Sequence, residues 1–89
     1  PNAGAPQAIL EVEPSVIGRG GSCEVYWSSR SMASCQVSGQ GVSSTALAGR
    51  AETPSLQATA VYTFNCVGLN GQTYSDVDQC AVDPNVVEF

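Results

Sequence analysis

The stretch Ala60-Val61-Tyr62-Thr63-Phe64-Asn65-Cys66 decides the fold class of this chain. It is rich in β-branched and aromatic residues, which is typical of a β-strand. Because successive side chains of a strand point to opposite faces, Tyr62, Phe64 and Cys66 share one face, which we predict to be buried. The Asn70-Gly71 pair that follows predicts a hairpin, since both residues tolerate a positive φ.

A second clear strand lies upstream, at Cys23-Glu24-Val25-Tyr26-Trp27. Cys23, Val25 and Trp27 share a face, so Trp27 is expected in the core and not on the surface as a sugar-stacking platform. Weaker patterns predict a first strand at residues 7–13, which Val16 and Ile17 continue after a kink at Pro14, and further strands at 33–37 and 72–82. One or two short edge strands are expected within 42–58. A helix over 44–48 is the alternative there, but the hydroxyl-rich sequence disfavours a long one. About seven short strands separated by turn signals predict an all-β sandwich or barrel.

The length and the cysteine content predict a small domain held by disulfides. Eighty-nine residues make one domain, and a chain of this size buries only about 60–65% of the surface that it exposes when unfolded. Natural domains this small often need covalent staples. The four cysteines are Cys23, Cys35, Cys66 and Cys80. Zinc is the main alternative to two disulfides, but zinc sites use closely spaced cysteine pairs, and this chain has no histidine.

The composition excludes several functions. Three arginines, no lysine and eight acidic residues give a net charge of −5, so we do not expect nucleic acid as a partner. No apolar run is long enough to span a membrane, and we expect any export signal or membrane anchor to have been removed or to belong to another chain. Disulfides form in oxidising compartments, which predicts an extracellular or cell-surface location. We expect an N-terminal tail at residues 1–7, the domain at 8–82 and a C-terminal tail at 83–89.

Three motifs give the chain a resemblance to a known family. They are Trp27-Ser28-Ser29, then Ala33-Ser34-Cys35, then Tyr62-Thr63-Phe64-Asn65-Cys66 with Gly68. Over residues 6–82 the chain resembles the bacterial immunoglobulin-like domains of exported surface proteins. The resemblance implies an immunoglobulin-like β-sandwich of about seven antiparallel strands.

The same resemblance implies how the cysteines pair. Domains of this family usually carry one disulfide, which here would join Cys35 to Cys66. In their sandwich the start of the second strand and the end of the seventh lie at one pole, which favours Cys23–Cys80 for the other pair. The alternative is an antibody-like bridge from Cys23 to Cys66, which would lie deep beneath the tryptophan.

Two expectations concern the last strands. Val77 and Cys80 both have the character of buried residues, yet they are three positions apart. This spacing predicts either a bulge between them or a Cys80 that lies beyond the regular pairing. Tyr62, four residues before Cys66, is expected to fix a loop through its hydroxyl, as the corner tyrosine of immunoglobulin domains does.

We do not predict an enzyme. Without histidine or lysine, the serines lack an ordinary general base. Asp76 and Asp78 share a strand face; such a pair can serve glycoside hydrolysis, and together with Asp83 it can bind calcium. The interpretation that we favour is that these charges discourage edge pairing of a terminal strand. We therefore predict no catalytic residue, no cofactor and no metal.

The leading functional hypothesis is a structural module: a unit of a surface protein, stalk or pilus-like filament that packs against a protein partner or copies of itself. The candidate subunit contacts are Ile9, Val86, Val87 and Phe89. One alternative is an adhesin, or a carbohydrate- or protein-binding module, that uses its polar loops and the surface residues Tyr26 and Tyr74. Another is a small secreted hydrolase inhibitor that acts through Arg30 in the loop of residues 28–33.

Overall fold

A computed structural model of the protein describes residues 6–85, and the described chain is all β. The eight strands are β1 (Gln7–Glu13), β2 (Val16–Ile17), β3 (Glu24–Arg30), β4 (Met32–Gly39), β5 (Val42–Ser44), β6 (Gly49–Glu52), β7 (Ala60–Gly68) and β8 (Thr73–Val82). The all-β prediction is confirmed, with eight strands instead of about seven. The part of the chain that is described forms no helix, so residues 44–48 are not helical.

The strands form two sheets. One has three strands in the order β1-β3-β6, and the other has five in the order β2-β8-β7-β4-β5. Neighbouring strands are antiparallel except for β2 and β8, which run parallel. This pair departs from the expected antiparallel arrangement. Pro14 ends β1, and the chain then crosses to the other sheet while keeping its direction, which brings β2 alongside β8.

The core lies between the sheets and consists of the inward-facing residues of both. The largest fully buried side chains are Tyr62, Phe64, Ile17, Leu56, Val25 and Val37. The predicted buried faces of β3 and β7 are confirmed, and Trp27 is buried as expected. Each such side chain contributes roughly 1.5–3 kcal/mol by leaving water.

Tyr62 also fixes a loop, as expected. Its hydroxyl donates a hydrogen bond of 2.9 Å to the carbonyl of Gln40, in the turn between β4 and β5. Its ring occupies the space beside Gly39, where an added Cβ would come within 2.1 Å of the tyrosine Cδ1. Gly39 therefore allows the close approach that lets one aromatic residue fill the core and hold this turn.

Two disulfides are present, between the pairs that the resemblance favoured. Cys23, just before β3, joins Cys80 on β8 and so links the two sheets. Cys35 on β4 and Cys66 on β7 lie directly opposite each other within one sheet, with their Cα atoms 4.0 Å apart. The antibody-like bridge from Cys23 to Cys66 is not formed. In the loop-entropy account, each bond stabilises the domain by about 3–4 kcal/mol, less than additively because the loops are nested.

The expectation for β8 was wrong. Val77 is 56% exposed, and the pairing of β8 with β7 runs without a bulge from Thr73 to Cys80. The inward positions of β8 are the even ones, which include Asp76 and Asp78 as well as Cys80. Hydrophobicity misassigned the face because two charged residues occupy the inner side of this strand.

Candidate functional site

Two carboxylates close one side of the sandwich, where β1 of the three-stranded sheet faces β8 of the other. Asp76 Oδ2 accepts a hydrogen bond from the backbone N–H of Leu10 at 2.8 Å, and Asp78 Oδ2 accepts one from Val12 at 2.9 Å. The second oxygens accept from β8 itself. Asp76 Oδ1 bonds the next residue's N–H at 2.9 Å, and Asp78 Oδ1 does so at 2.8 Å. We call this four-bond arrangement the carboxylate clip.

The clip follows from strand geometry. Leu10 and Val12 are two residues apart, so their N–H groups point to the same side of β1. Asp76 and Asp78 have the same spacing, so each carboxylate meets one of these groups. β1 is an edge strand, and no neighbouring strand accepts hydrogen bonds from these two N–H groups. The carboxylates accept them instead, so the N–H groups are not left free to pair with another chain.

The clip changes the interpretation of these aspartates. Both are half-buried and hold backbone N–H groups, so their oxygens do not face a cleft as a glycosidase pair would. Within residues 6–85, no group of three or more acidic, histidine or cysteine side chains is arranged to hold a metal ion. The aspartates satisfy backbone donors of β1, and the expectation that their charges discourage edge pairing of the terminal strand stays a prediction.

The outer face of the three-stranded sheet is densely charged. Its outward residues, which we call the charged face, are Gln7, Ile9, Glu11, Glu13, Glu24, Tyr26, Ser28, Arg30, Arg50 and Glu52. Glu13, Glu24 and Glu52 lie directly opposite one another on the three neighbouring strands. Like charges in such a row repel and lower stability.

Tyr26, a predicted binding residue, is held within this charged face. Its hydroxyl donates a hydrogen bond of 3.0 Å to Glu24 Oε1. This bond to a carboxylate, and secondly burial, raise the pKa of Tyr26 above its ordinary value, because both favour the protonated phenol. The side chain is therefore fixed on the sheet and does not project as a free aromatic platform.

The outer face of the five-stranded sheet has the opposite character. Its outward residues, which we call the neutral face, are Ser34, Gln36, Ser38, Ser43, Val61, Thr63, Asn65, Val67, Thr73, Ser75, Val77 and Gln79. Every one of these residues is uncharged. Val61 and Val77 are 53% and 56% exposed, which makes this face partly apolar as well.

The neutral face is not flat but contains a depression. An open depression of about 540 Å³ occupies the end where β4, β7 and β8 carry Gln36, Asn65 and Ser75, and it extends to Thr45 beyond β5. Val61 and Val77 lie outside its lining, further along the same strands. The face therefore presents a hollow of mixed polar and apolar lining, which includes Val67, beside a pair of exposed valines.

Arg30 and Tyr74, the other predicted binding residues, lie near one pole of the sandwich. The turn after β3 and the turn after β7 are joined there by a 3.0 Å hydrogen bond from Leu69 N to the Ser31 carbonyl. Leu69 is 73% exposed at the tip. Tyr26 lies away from them, on β3 opposite Glu11 of β1.

Tyr74 serves the turn that it follows. Its hydroxyl accepts a hydrogen bond of 3.0 Å from Asn70 Nδ2 and donates one of 3.2 Å to Gln72 Oε1. Its ring is half-buried against the core. Tyr74 therefore has a structural role in the β7–β8 hairpin, whereas Arg30 is exposed beside it.

The predicted subunit contacts are only partly described. Ile9 is 38% exposed on the charged face, opposite Ser28. Val86, Val87 and Phe89 lie outside the described residues. Sequence reasoning missed the neutral face. The outward parity of β7 contains no charge and indicated half of it, but the parity expected for β8 placed Asp76 and Asp78 on the outside.

Fold and surfaces together define a class: an all-β, two-sheet domain with two disulfides and outer faces of opposite character. No family model, no curated protein and no solved structure matches the chain. The described residues contain no helix that is long and apolar enough to cross a membrane.

Proposed function

We propose that this chain is a non-catalytic, load-bearing structural module of immunoglobulin-like fold that acts in an extracellular or cell-surface assembly. The strand order supports the fold assignment. Immunoglobulin-like domains place their first, second and fifth strands in one sheet and their third strand with the last pair in the other. With β2 taken as a continuation of the first strand and β5 as an added edge strand, β1-β3-β6 and β4-β7-β8 fit this division. Two disulfides support an oxidising location, since such bonds persist outside the cytosol.

The observation that carries the proposal is the position of the Cys23–Cys80 bond. Tension that enters the chain before residue 23 and leaves it after residue 80 passes through this bond. The enclosed segment, with a sequence separation of 57, is bypassed and cannot extend. A unit of a stalk or filament benefits from this arrangement, because its length stays nearly constant under load.

The strands outside the bond are also secured to each other. The carboxylate clip holds β1 to β8. β2 is bonded to β8 through Ala81 N to the Ser15 carbonyl and Asp83 N to the Ile17 carbonyl, both at 2.9 Å. Because β2 and β8 are parallel, pulling the chain at its two ends loads these bonds together in shear instead of one after another.

Force spectroscopy on tandem copies of the domain tests the load-bearing role. With both disulfides intact, only residues 7–22 and 81–82 can extend when a domain yields. In C23S/C80S the extension should grow by the difference between the separations of 57 and 31, since Cys35–Cys66 still encloses its own loop. That is about 26 residues, or roughly 90 Å per domain.

C35S/C66S is the matched control. It also removes one disulfide, but its loop lies inside the larger one, so the extension should equal that of the unaltered domain. Equal extension for C23S/C80S and C35S/C66S, or yielding at negligible force with both bonds intact, would contradict the load-bearing role.

Electron microscopy of the native material tests the assembly role. Filaments or ordered surface arrays containing this chain support it. A monomer whose melting temperature rises with a carbohydrate or protein ligand would favour an adhesin instead. Hydrolase inhibition that is lost in R30A would favour a secreted inhibitor.

A further inference from the structure

We propose that the neutral face docks against the same face of a second copy of this chain, across a two-fold axis. The inference rests on the proposed role as an assembly subunit, and it names the partner and the surface. It identifies the five-stranded sheet, and not the three-stranded one, as the side through which copies of the domain meet.

The charge distribution is the first argument. In a two-fold interface the same patch contributes from both copies, so residues near the axis meet their own counterparts. On the charged face, Glu24 and its neighbours Glu13 and Glu52 would confront identical carboxylates, in a chain that already carries a net charge of −5. The neutral face offers no such opposition.

The hydrogen-bonding chemistry is the second argument. Hydroxyl and carboxamide groups each contain donors and an acceptor, so a serine or a glutamine can bond to its own copy. Gln36, Asn65 and Ser75 lie in one row across β4, β7 and β8. A face built from such groups and valines is self-complementary without requiring a partner of different composition.

The shape is the third argument. The 540 Å³ depression and the exposed pair Val61 and Val77 are neighbours on the same face. A two-fold axis between them would place the valines of each copy against the depression of the other. In an isologous interface, the valines of the first copy contact the depression of the second, and the valines of the second contact the depression of the first.

The size of the face sets the expected strength. Four strands at about 4.8 Å spacing, each contributing about six residues at 3.3 Å, give a projected footprint of roughly 20 Å by 20 Å. This is below the ≈800 Å² per partner of a standard interface, so we expect a weak dimer whose dissociation constant is on the order of tens of micromolar or higher. Repetition of the contact along an assembly would strengthen it.

Sedimentation equilibrium on the disulfide-intact chain tests the inference, from about 10 μM to about 1 mM in 0.15 M salt. The unaltered chain should show a monomer–dimer equilibrium. V77E places a carboxylate against the uncharged depression of the other copy and should raise the dissociation constant at least about tenfold, because burying an unpaired charge costs more than about 1.4 kcal/mol. NMR shifts that depend on concentration should fall on the outward residues of β4, β7 and β8.

I9E is the matched control. Ile9 is also a β-branched residue on an exposed strand position, and the change adds the same charge, but on the charged face. It should leave the dissociation constant within about twofold. Circular dichroism and melting curves establish that both variants fold.

Three results would overturn the inference. They are a chain that stays monomeric at 1 mM, a dimer that V77E does not weaken, and a dimer that I9E weakens equally. None of these results bears on the force-extension measurement. Native filaments together with a dimer insensitive to V77E would retain the structural role and reject this surface.

Discussion

The two outer faces belong to sheets that share one core, yet they differ in nearly every chemical property. The charged face carries four of the eight acidic residues and two of the three arginines. The neutral face carries hydroxyls, carboxamides and valines. A small domain needs net charge to stay soluble. With four acids and two arginines, the charged face accounts for −2 of the net charge of −5, whereas the neutral face carries no charge.

The difference extends to how each sheet is stabilised. The five-stranded sheet contains the Cys35–Cys66 bond, the tyrosine anchor on Gln40 and both aspartates of the clip. The three-stranded sheet contains no disulfide of its own and carries a row of opposed glutamates. It depends on the other sheet, through the Cys23–Cys80 bond and the carboxylate clip. Three sets of variants test how differently the two sheets are stabilised. They are given from the largest expected effect to the smallest.

The carboxylate clip should give the largest effect. In D76N/D78N, each amide keeps one oxygen and turns an N–H₂ group toward a backbone N–H of β1 or β8. At least two hydrogen bonds to charged acceptors are lost, so the free energy of unfolding should fall by about 2–4 kcal/mol. Urea denaturation measures this change. Hydrogen exchange should show faster exchange at Leu10 and Val12 than anywhere in β4.

Asp83→Asn is the control for the clip. Its carboxylate accepts a hydrogen bond of 2.9 Å from the backbone N–H of Asn85. This bond is local and does not join β8 to β1. The same chemical change there should cost less than about 0.5 kcal/mol. A clip variant no less stable than this control would mean that the shared core and the disulfide hold the sheets together without help from the clip.

The clip also marks the limit of what the sequence predicts. Alternation predicted the buried faces of β3 and β7, because each of these strands has one apolar side and one polar side. On β8 the same rule placed Val77 inside and the aspartates outside, which is the reverse of the structure. The inward aspartates are stable only because N–H groups of β1 reach them from the other sheet, and no local pattern contains that information.

Other departures have the same origin. β6 has no large apolar residue, and Ala51 contributes its only inward contact to the core cluster. It is a strand because β3 pairs with it. The parallel pairing of β2 depends on the chain crossing from the three-stranded sheet to the five-stranded sheet after β1, where β2 lies beside β8. The neutral face could be predicted only in part, because the outward parity of β7 was assigned correctly from the sequence and that of β8 was not.

Substitution of Tyr62 or Tyr26, the two tyrosines with raised pKa values, should give the intermediate effect. Burial raises the pKa of Tyr62 above its ordinary value of 10.0. The protonated Tyr62 phenol therefore contributes fully to the free energy of unfolding below pH 10. This contribution is lost as the pH rises through the higher pKa of the folded state. Y62F should cost about 1 kcal/mol at pH 7 through the lost bond to Gln40. Its stability should then fall less steeply than that of the unaltered chain above pH 10.

Y26F provides a comparison in the same experiment, because Tyr26 lies on the charged face whereas Tyr62 lies in the core. The pKa of Tyr26 is also raised, mainly by its hydrogen bond to Glu24, so this variant should likewise lose part of the alkaline dependence. Tyr26 supports no turn, so Y26F should destabilise the domain less than Y62F at pH 7. Equal losses in the two variants would show that the Gln40 bond stabilises the domain no more than the Tyr26–Glu24 bond does. Urea denaturation at pH 7, 9, 10 and 11 provides the comparison.

The glutamate row should give the smallest effect, and one of opposite sign. E24Q removes the central charge between Glu13 and Glu52 while keeping an acceptor for the Tyr26 hydroxyl. Relief of like-charge repulsion should stabilise the domain by about 0.2–0.5 kcal/mol at low salt. Screening should erase this gain at about 1 M salt, where the Debye length falls to about 3 Å.

E11Q is the matched variant for the row. It removes the same charge from β1, but Glu11 lies opposite Tyr26, with Arg50 as the next residue across the sheet. It should therefore bring no gain in stability at low salt. If E24Q and E11Q behave alike, net charge and not the arrangement of the row sets the electrostatic strain. If only E24Q stabilises, the charged face keeps a costly arrangement that the neutral face avoids altogether.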